Sequence, residues 1–266
     1  MDKKKDWRNK EFRKFVALGE STTAGGWSTS PERCWVPRLK ELIDDVQSRP
    51  VELFNAGIGA NVISTESPQY QHSGKPAADE RLSRHVIAER PDLLVISYGL
   101  NDARGGTPVA LFYRVLVSLI RRVRKKLDPV IVLPGPYFMT DFTVGQPHWS
   151  QGNLEIFATF NQIIAQVARE EECLFVDLLE AYGGAPWMIH YDGVHANDMG
   201  HRIVANRIFE VLAQNCSGLA GWTRGQEKTS PRWRDESCLK LGFKSRLIMD
   251  SGEMVERTSR TAYSWY

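Results

Sequence analysis

Apolar residues fall in five short, dense runs along the chain: FVAL (15–18), VELF (51–54), DLLVISY (92–98), VIVLP (130–134) and LFVDL (174–178). None alternates strictly with polar residues, so each reads as a strand covered on both faces, as in a parallel sheet. Between them lie longer stretches with apolar residues at helical spacing, over 34–47, 77–88, 108–127, 153–171 and 197–214. Thr107 ahead of Pro108 reads as a cap followed by a first turn. The alternation of strand and helix predicts an α/β fold: a three-layer αβα sandwich around a flavodoxin-like, five-stranded parallel sheet. No internal repeat interrupts it.

After residue 215 the texture changes. SGLAGWTRGQEKTSPRWRDESCLK is rich in Gly, Ser, Arg and charge, and LKLGFKSRLIM then alternates enough for a strand or hairpin. Residues 1–215 therefore read as the main domain and 216–266 as a C-terminal extension. Its aromatics (Trp222, Trp233, Phe243, Tyr263, Trp265 and Tyr266) suggest packing on the domain surface, on the rim of a site, or on a second subunit in a homo-oligomer.

Composition changes this picture little. Of 266 residues, 42% are hydrophobic and 25% charged, the balance of a globular protein with a real core. A net charge of +2 argues against a nucleic-acid partner, and the basic run RRVRKK (121–126) sits near a helix end, where cations complement the dipole. No apolar run approaches the roughly 20 residues of a membrane span. The first residues, MDKKKDWRNKEFRK, lack the apolar segment of a secretory signal. Cys34, Cys173, Cys216 and Cys238 show no CxxC spacing, so they read as reduced thiols of a cytoplasmic protein.

Ligands of parallel α/β sheets gather beyond the carboxyl ends of the strands. There the sequence places Gly19-Glu20-Ser21-Thr22, then Asn55-Ala56-Gly57-Ile58-Gly59-Ala60-Asn61, then Gly99-Leu100-Asn101-Asp102, and beyond the fifth strand Asp192-Gly193-Val194-His195. A serine is a weak nucleophile until a base takes its proton, and histidine titrates in the right range. A carboxylate three residues before His195, across a glycine, can turn back and orient the imidazole. The anion formed in acyl transfer needs fixed N–H donors. Asn101, the Gly59–Ala60 backbone and the N–H of Ser21 can supply them.

These four blocks, in this order, resemble the SGNH hydrolases, the GDSL-type esterase and lipase superfamily, over roughly residues 13–215. The resemblance implies that Ser21 is the nucleophile, His195 the base and Asp192 its orienter, with Asn101 and a second-block N–H lining the oxyanion hole. It implies hydrolysis of esters or thioesters without metal or cofactor. Two positions depart from the pattern. Glu20 replaces an aspartate that supports the loop, and Ala60 stands where an oxyanion glycine is usual, so the N–H falls to Gly59 or Ala60.

Blander readings exist. Ser21 can be a helix cap. Asp192, His195 and His201 can be metal ligands, although they match no strong zinc spacing. Asp102 can be structural, and Arg104 structural or a contact for an anionic substrate. The loops over 65–75 and 136–151, with Tyr70, His72, Tyr137, Phe138, Phe142, His148 and Trp149, are expected to wall the pocket. Aromatics beside polar groups suit a sugar ring or a short acyl chain, so the expected substrate is a small ester such as an acetylated carbohydrate. A thioesterase or lysophospholipase shares the mechanism. A non-catalytic binding module is the alternative from another class.

Overall fold

In the computed structural model, residues 4–229, 244–248 and 254–258 are described. Five strands, β1 (Lys14–Gly19), β2 (Glu52–Gly57), β3 (Leu93–Ser97), β4 (Val130–Pro134) and β5 (Leu174–Val176), pair in parallel in the order β2-β1-β3-β4-β5. The inner strands are buried on both faces, which is why their sequences run without alternation: Phe15 to Leu18 and Leu93 to Val95 are all fully enclosed.

The longer helices are α2 (Trp35–Asp44), α4 (Ala78–Leu82, continuing in π-helical form over Ser83–Ile87), α6 (Val109–Arg124), α7 (Leu154–Glu170) and α9 (Asp198–Asn215). Right-handed crossovers decide their faces. The chain steps from β1 outward to β2 through α2, then reverses and steps through α4, α6 and α7 to β5. The reversal puts α2 on one side, packed on α9, and α6 on the other, packed on α7 and α4. In α6 the residues at helical spacing, Phe112, Val115, Leu116, Leu119, Ile120 and Val123, are buried, and Val117 beside them is buried too. The basic run at its end is engaged locally: Arg121 pairs with Glu171 at 2.6 Å and Arg122 donates to the Asp79 carbonyl at 3.0 Å.

The elements fall where the periodicity puts them, with informative differences. Asn153 and Asn197 cap α7 and α9 through their side chains. At α6 the cap position is taken by Pro108, not Thr107, because the Thr107 hydroxyl is committed to Asp102 at 2.8 Å. The fifth strand stops at Val176, and Leu178 already opens a short helix, α8 (Leu178–Tyr182), capped by Asp177. Three further short helices are single turns, too short to leave a periodic signature: α1 (Ser21–Ala24) and α5 (Leu100–Arg104) follow strand ends, and α3 (Tyr70–Ser73) lies in the connection from β2 to α4.

The described chain divides into two compact units after Gly221. The second holds most of a short helix, α10 (Gly221–Glu227), and an antiparallel pair, β6 (Lys244–Ile248) with β7 (Met254–Thr258). The expected strand in LKLGFKSRLIM is β6, and its partner comes from the more polar stretch beyond. Trp233, Cys238, Phe243, Tyr263, Trp265 and Tyr266 lie outside the described residues. No described helix is long and apolar enough to cross a membrane.

Candidate active site

The strand order reverses between β1 and β3, and their carboxyl ends open the crevice in which ligands of such sheets bind. Gly19 ends β1 because no other residue fits: a Cβ there would lie 2.8 Å from the Ser97 carbonyl oxygen and closer still to Thr23. Glu20 follows in extended conformation as the cap residue of α1, so Ser21 is the first helical residue and not the cap. The Ser21 hydroxyl instead lies 3.0 Å from Nε2 of His195, 174 residues away in sequence.

His195 sits on a tight loop closed by the bridge between Ile189 and Ala196 and by the His190 N–H donating to the His195 carbonyl at 2.7 Å. Gly193, with φ of 75°, lets the loop turn back on itself. One Asp192 oxygen then accepts the N–H groups of Val194 and His195 at 2.9 and 3.0 Å, and the other lies 2.6 Å from His195 Nδ1. The loop is anchored from β4's side. The Gly193 carbonyl accepts from the N–H groups of Thr140 and Asp141 at 2.8 and 3.0 Å, and Ala196 N–H donates to the Tyr137 hydroxyl at 3.0 Å.

Electrostatics follow from this packing. Burial alone would push the Asp192 carboxyl up, but the N–H groups of His195 and Val194 and the imidazole outweigh it and bring its pKa to about 2. Burial lowers the His195 pKa below its usual value, against the opposing pull of Asp192. The pair is therefore a carboxylate beside a neutral imidazole near pH 7. In that state Nδ1 is the donor to Asp192, and Nε2 is left to accept the serine proton.

Asn101 is the second residue of α5, and its position is set by Glu20. The buried Glu20 carboxylate accepts the N–H groups of Gly99, Leu100 and Asn101 at 2.9, 3.1 and 2.9 Å, the orphan donors of that helix start. Burial and then the neighbouring Asp102 push its pKa well up, while the three donors pull it down. The Asn101 side-chain amide donates one hydrogen to the Asn61 carbonyl at 3.1 Å, and its second hydrogen is left over. Gly59 lies against the serine: a Cβ on it would stand 3.9 Å from Ser21 Cβ. Ala60 adopts a left-handed φ of 52°, the conformation a glycine takes most easily. The carbonyls of this turn are held by Lys75 Nζ on Gly59, at 2.9 Å, and Ser73 Oγ on Ala60, at 2.5 Å. Within the described residues the N–H groups of Ser21, Gly59 and Ala60 have no partner.

Other candidates are occupied differently. Asp102 is buried and accepts from Thr107, Ile63 and Ser67, with its pKa pushed up to about 7 by burial. Arg104 is buried and donates to the Val144 carbonyl at 2.6 Å, bracing the loop over 136–151. His201 accepts from the Trp35 N–H at 3.4 Å, and no group of three or more His, Cys, Asp or Glu among the described residues is arranged around a metal. His72 and His148 stack with ring centroids 3.5 Å apart, and His148 lies 3.1 Å from Gln69, so the two expected wall loops touch each other.

Sequence reasoning missed Trp27. Its indole lies flat on the His195 imidazole, with centroids 3.4 Å apart and planes 5° from parallel. It also missed Asp198, the first residue of α9, which accepts the Thr29 N–H at 2.8 Å and hydroxyl at 2.6 Å and pairs with Arg33 at 2.9 Å. Both contacts span well over a hundred residues and leave no local signal.

The chain matches the model of the GDSL-like lipase/acylhydrolase family over residues 17–203. No curated protein matches it. Among solved structures it is similar to a lipase/acylhydrolase from Enterococcus faecalis, at 23% identity and a TM-score of 0.59, covering 76% of this chain and 96% of that one. It is also similar to the acetylxylan esterase Axe2 from Geobacillus stearothermophilus, at 20% identity and a TM-score of 0.59, over 77% and 96% of the two chains. A third is CEX, a two-domain esterase active on acetylated mannans, at 22% identity and a TM-score of 0.56, over 76% of this chain and 49% of that one. These likenesses share the α/β fold, and the family match covers well over half of the sequence. The chain therefore belongs to the GDSL-like lipase/acylhydrolase family and is an ester-hydrolysing enzyme of it.

Proposed function

We propose that Ser21 is the nucleophile of this esterase, with His195 as its base, Asp192 as the orienter of His195, and short acyl groups, such as acetyl on a carbohydrate or small molecule, as its substrates. The observation that carries this reading is the line from Ser21 Oγ through His195 to Asp192, with 3.0 Å and 2.6 Å links. Ser21 Oγ attacks the ester carbonyl while its proton passes to His195 Nε2. The imidazolium, held by Asp192, gives that proton to the leaving alcohol, and water then releases the acyl group by the same route. The second hydrogen of the Asn101 amide and the free N–H groups of Ser21 and the Gly59–Ala60 turn are the donors for the oxyanion.

The substrate class rests on the surroundings. Trp187 and Tyr191, which flank the loop of Asp192, are 68% and 95% exposed and offer ring faces on which a sugar can stack. Axe2 and CEX, which share the fold, act on acetylated glycans by their descriptions. The three described cysteines are free and buried, which supports a reducing, cytoplasmic compartment.

The test is hydrolysis of p-nitrophenyl esters of rising chain length beside acetylated xylo- and manno-oligosaccharides. Activity is expected to peak at acetyl and to disappear, together with fluorophosphonate labelling, in Ser21→Ala. Asn101→Ala is expected to lower kcat by about 100- to 1,000-fold. A peak at long acyl chains or at thioesters moves the reading to a lysophospholipase or thioesterase. Full activity in Ser21→Ala overturns the mechanism.

A further inference from the structure

Trp27 has no place in the reaction just described, yet the chain around it is built to hold it. Gly25, at φ of 80°, ends α1 so closely against Cys34 that no side chain fits there. Ser28 Oγ then lies 2.7 and 2.8 Å from the carbonyl oxygens of Gly25 and Ser30, within reach for its one O–H to bridge them. Thr29 and Arg33 clamp the loop to Asp198, three residues beyond His195. A loop pinned at both ends and to the element that follows His195 fixes the indole and the imidazole relative to each other. The result is the 3.4 Å, 5° stack.

A flat indole over an imidazole does two things. It blocks the ring from tilting out of the line between Ser21 and Asp192. Its electron-rich face also attracts the imidazole when the latter is positively charged, an interaction strongest for Trp and for a partner shielded from water. We propose that Trp27 is a positioning residue that holds His195 in line and stabilises its imidazolium form, the form it takes once it has accepted the Ser21 proton. The inference rests on the roles proposed above for Ser21 and His195. The other charged or titratable groups near His195 are Asp192 on its own loop, which favours the cation, Arg104, which opposes it, and the imidazoles of His190 and His201, each of which accepts a backbone N–H. Burial and the Arg104 charge work against the imidazolium, and the indole face supports it from the side that Asp192 does not reach.

The test compares Trp27→Leu, which keeps apolar bulk and excludes water but has no π face, with Trp27→Phe, which keeps one. In Trp27→Leu, kcat on p-nitrophenyl acetate is expected to fall about five- to thirtyfold with KM nearly unchanged. The acidic limb of kcat/KM is expected to move down by about one pH unit. Trp27→Phe is expected to recover most of both. The His195 pKa, followed by NMR titration and assigned by its absence in His195→Ala, is expected to fall in Trp27→Leu as well. That titration decides the inference even if the wild type hydrolyses no ester, an outcome that would sink the catalytic roles instead. A wild-type His195 pKa in Trp27→Leu, a loss confined to KM, or a Phe variant as impaired as the Leu variant overturns it.

Discussion

Glu20 accepts the backbone N–H of Asn101 at 2.9 Å, joining the residue before Ser21 to the residue proposed to offer the oxyanion amide. With Gly99 and Leu100 also donating to it, one carboxylate ties the end of β1 to the start of α5 across the switch point of the sheet. Replacing it by alanine leaves three buried N–H groups without an acceptor. Glu20→Ala is expected to cost about 2–3 kcal/mol of stability. It is also expected to lower kcat, because Asn101 is no longer held. Glu20→Asp keeps an acceptor and is expected to fall between Glu20→Ala and the wild type in both thermal denaturation and kcat. Equal stability of Glu20→Ala and the wild type would show that water replaces the carboxylate at no cost.

Burial sets the pH range of activity. The base proposed above, His195, works as a neutral imidazole, and its pKa is lowered from 6.5, mainly by burial. A lowered pKa keeps His195 neutral to lower pH, so the acidic limb of kcat/KM is expected below pH 6.5. The same sign governs stability: the unfolded chain binds the proton more readily, so this group's contribution is present above pH 6.5 and is lost as the pH falls. An acidic limb clearly above 6.5 would contradict the burial argument.

Gly193 is required twice over. Its φ is 75°, and a Cβ there would lie 2.5 Å from Asp141 Cβ. Gly193→Ala must move the loop that carries Asp192 and His195, and a displacement near 1 Å at reacting groups costs about 100-fold in rate. Gly74, at φ of 61° with open space around its Cβ position, is the control. Gly74→Ala is expected to cost about 1 kcal/mol of stability and leave kcat unchanged. Steady-state kinetics beside thermal melts separate the two effects.

Ala60 carries the opposite expectation. It holds a left-handed φ of 52°, at a cost of about 1–2 kcal/mol relative to a relaxed alanine. Ala60→Gly relieves that strain and adds unfolded-state entropy of about 0.4–1 kcal/mol. The melting temperature is expected to stay level or rise, with kcat retained because the N–H is unchanged. Ala60→Val, branched at Cβ, is expected to lower both. A marked fall in stability for Ala60→Gly would mean that the turn is not strained.

The sequence by itself determined the layers and the polar blocks. Dense apolar runs such as VIVLP and helical spacing such as that of Phe112, Leu116 and Ile120 are local consequences of burial, so they are written locally. The blocks around Ser21, Asn101 and His195 were legible because a parallel sheet brings its strand ends to one edge, and the turn of Asp192 onto His195 because only three residues separate them. Tertiary structure alone decided the rest. Which N–H groups the longer Glu20 side chain would reach, that Thr107 would be drawn to Asp102 instead of capping α6, that Gly59 would lie against Ser21, and that Trp27 would cover His195 all depend on contacts between distant segments. Periodicity reports what each residue does with its neighbours in the chain; a contact across the sheet edge is fixed by packing, in which every side chain's place depends on all the others at once.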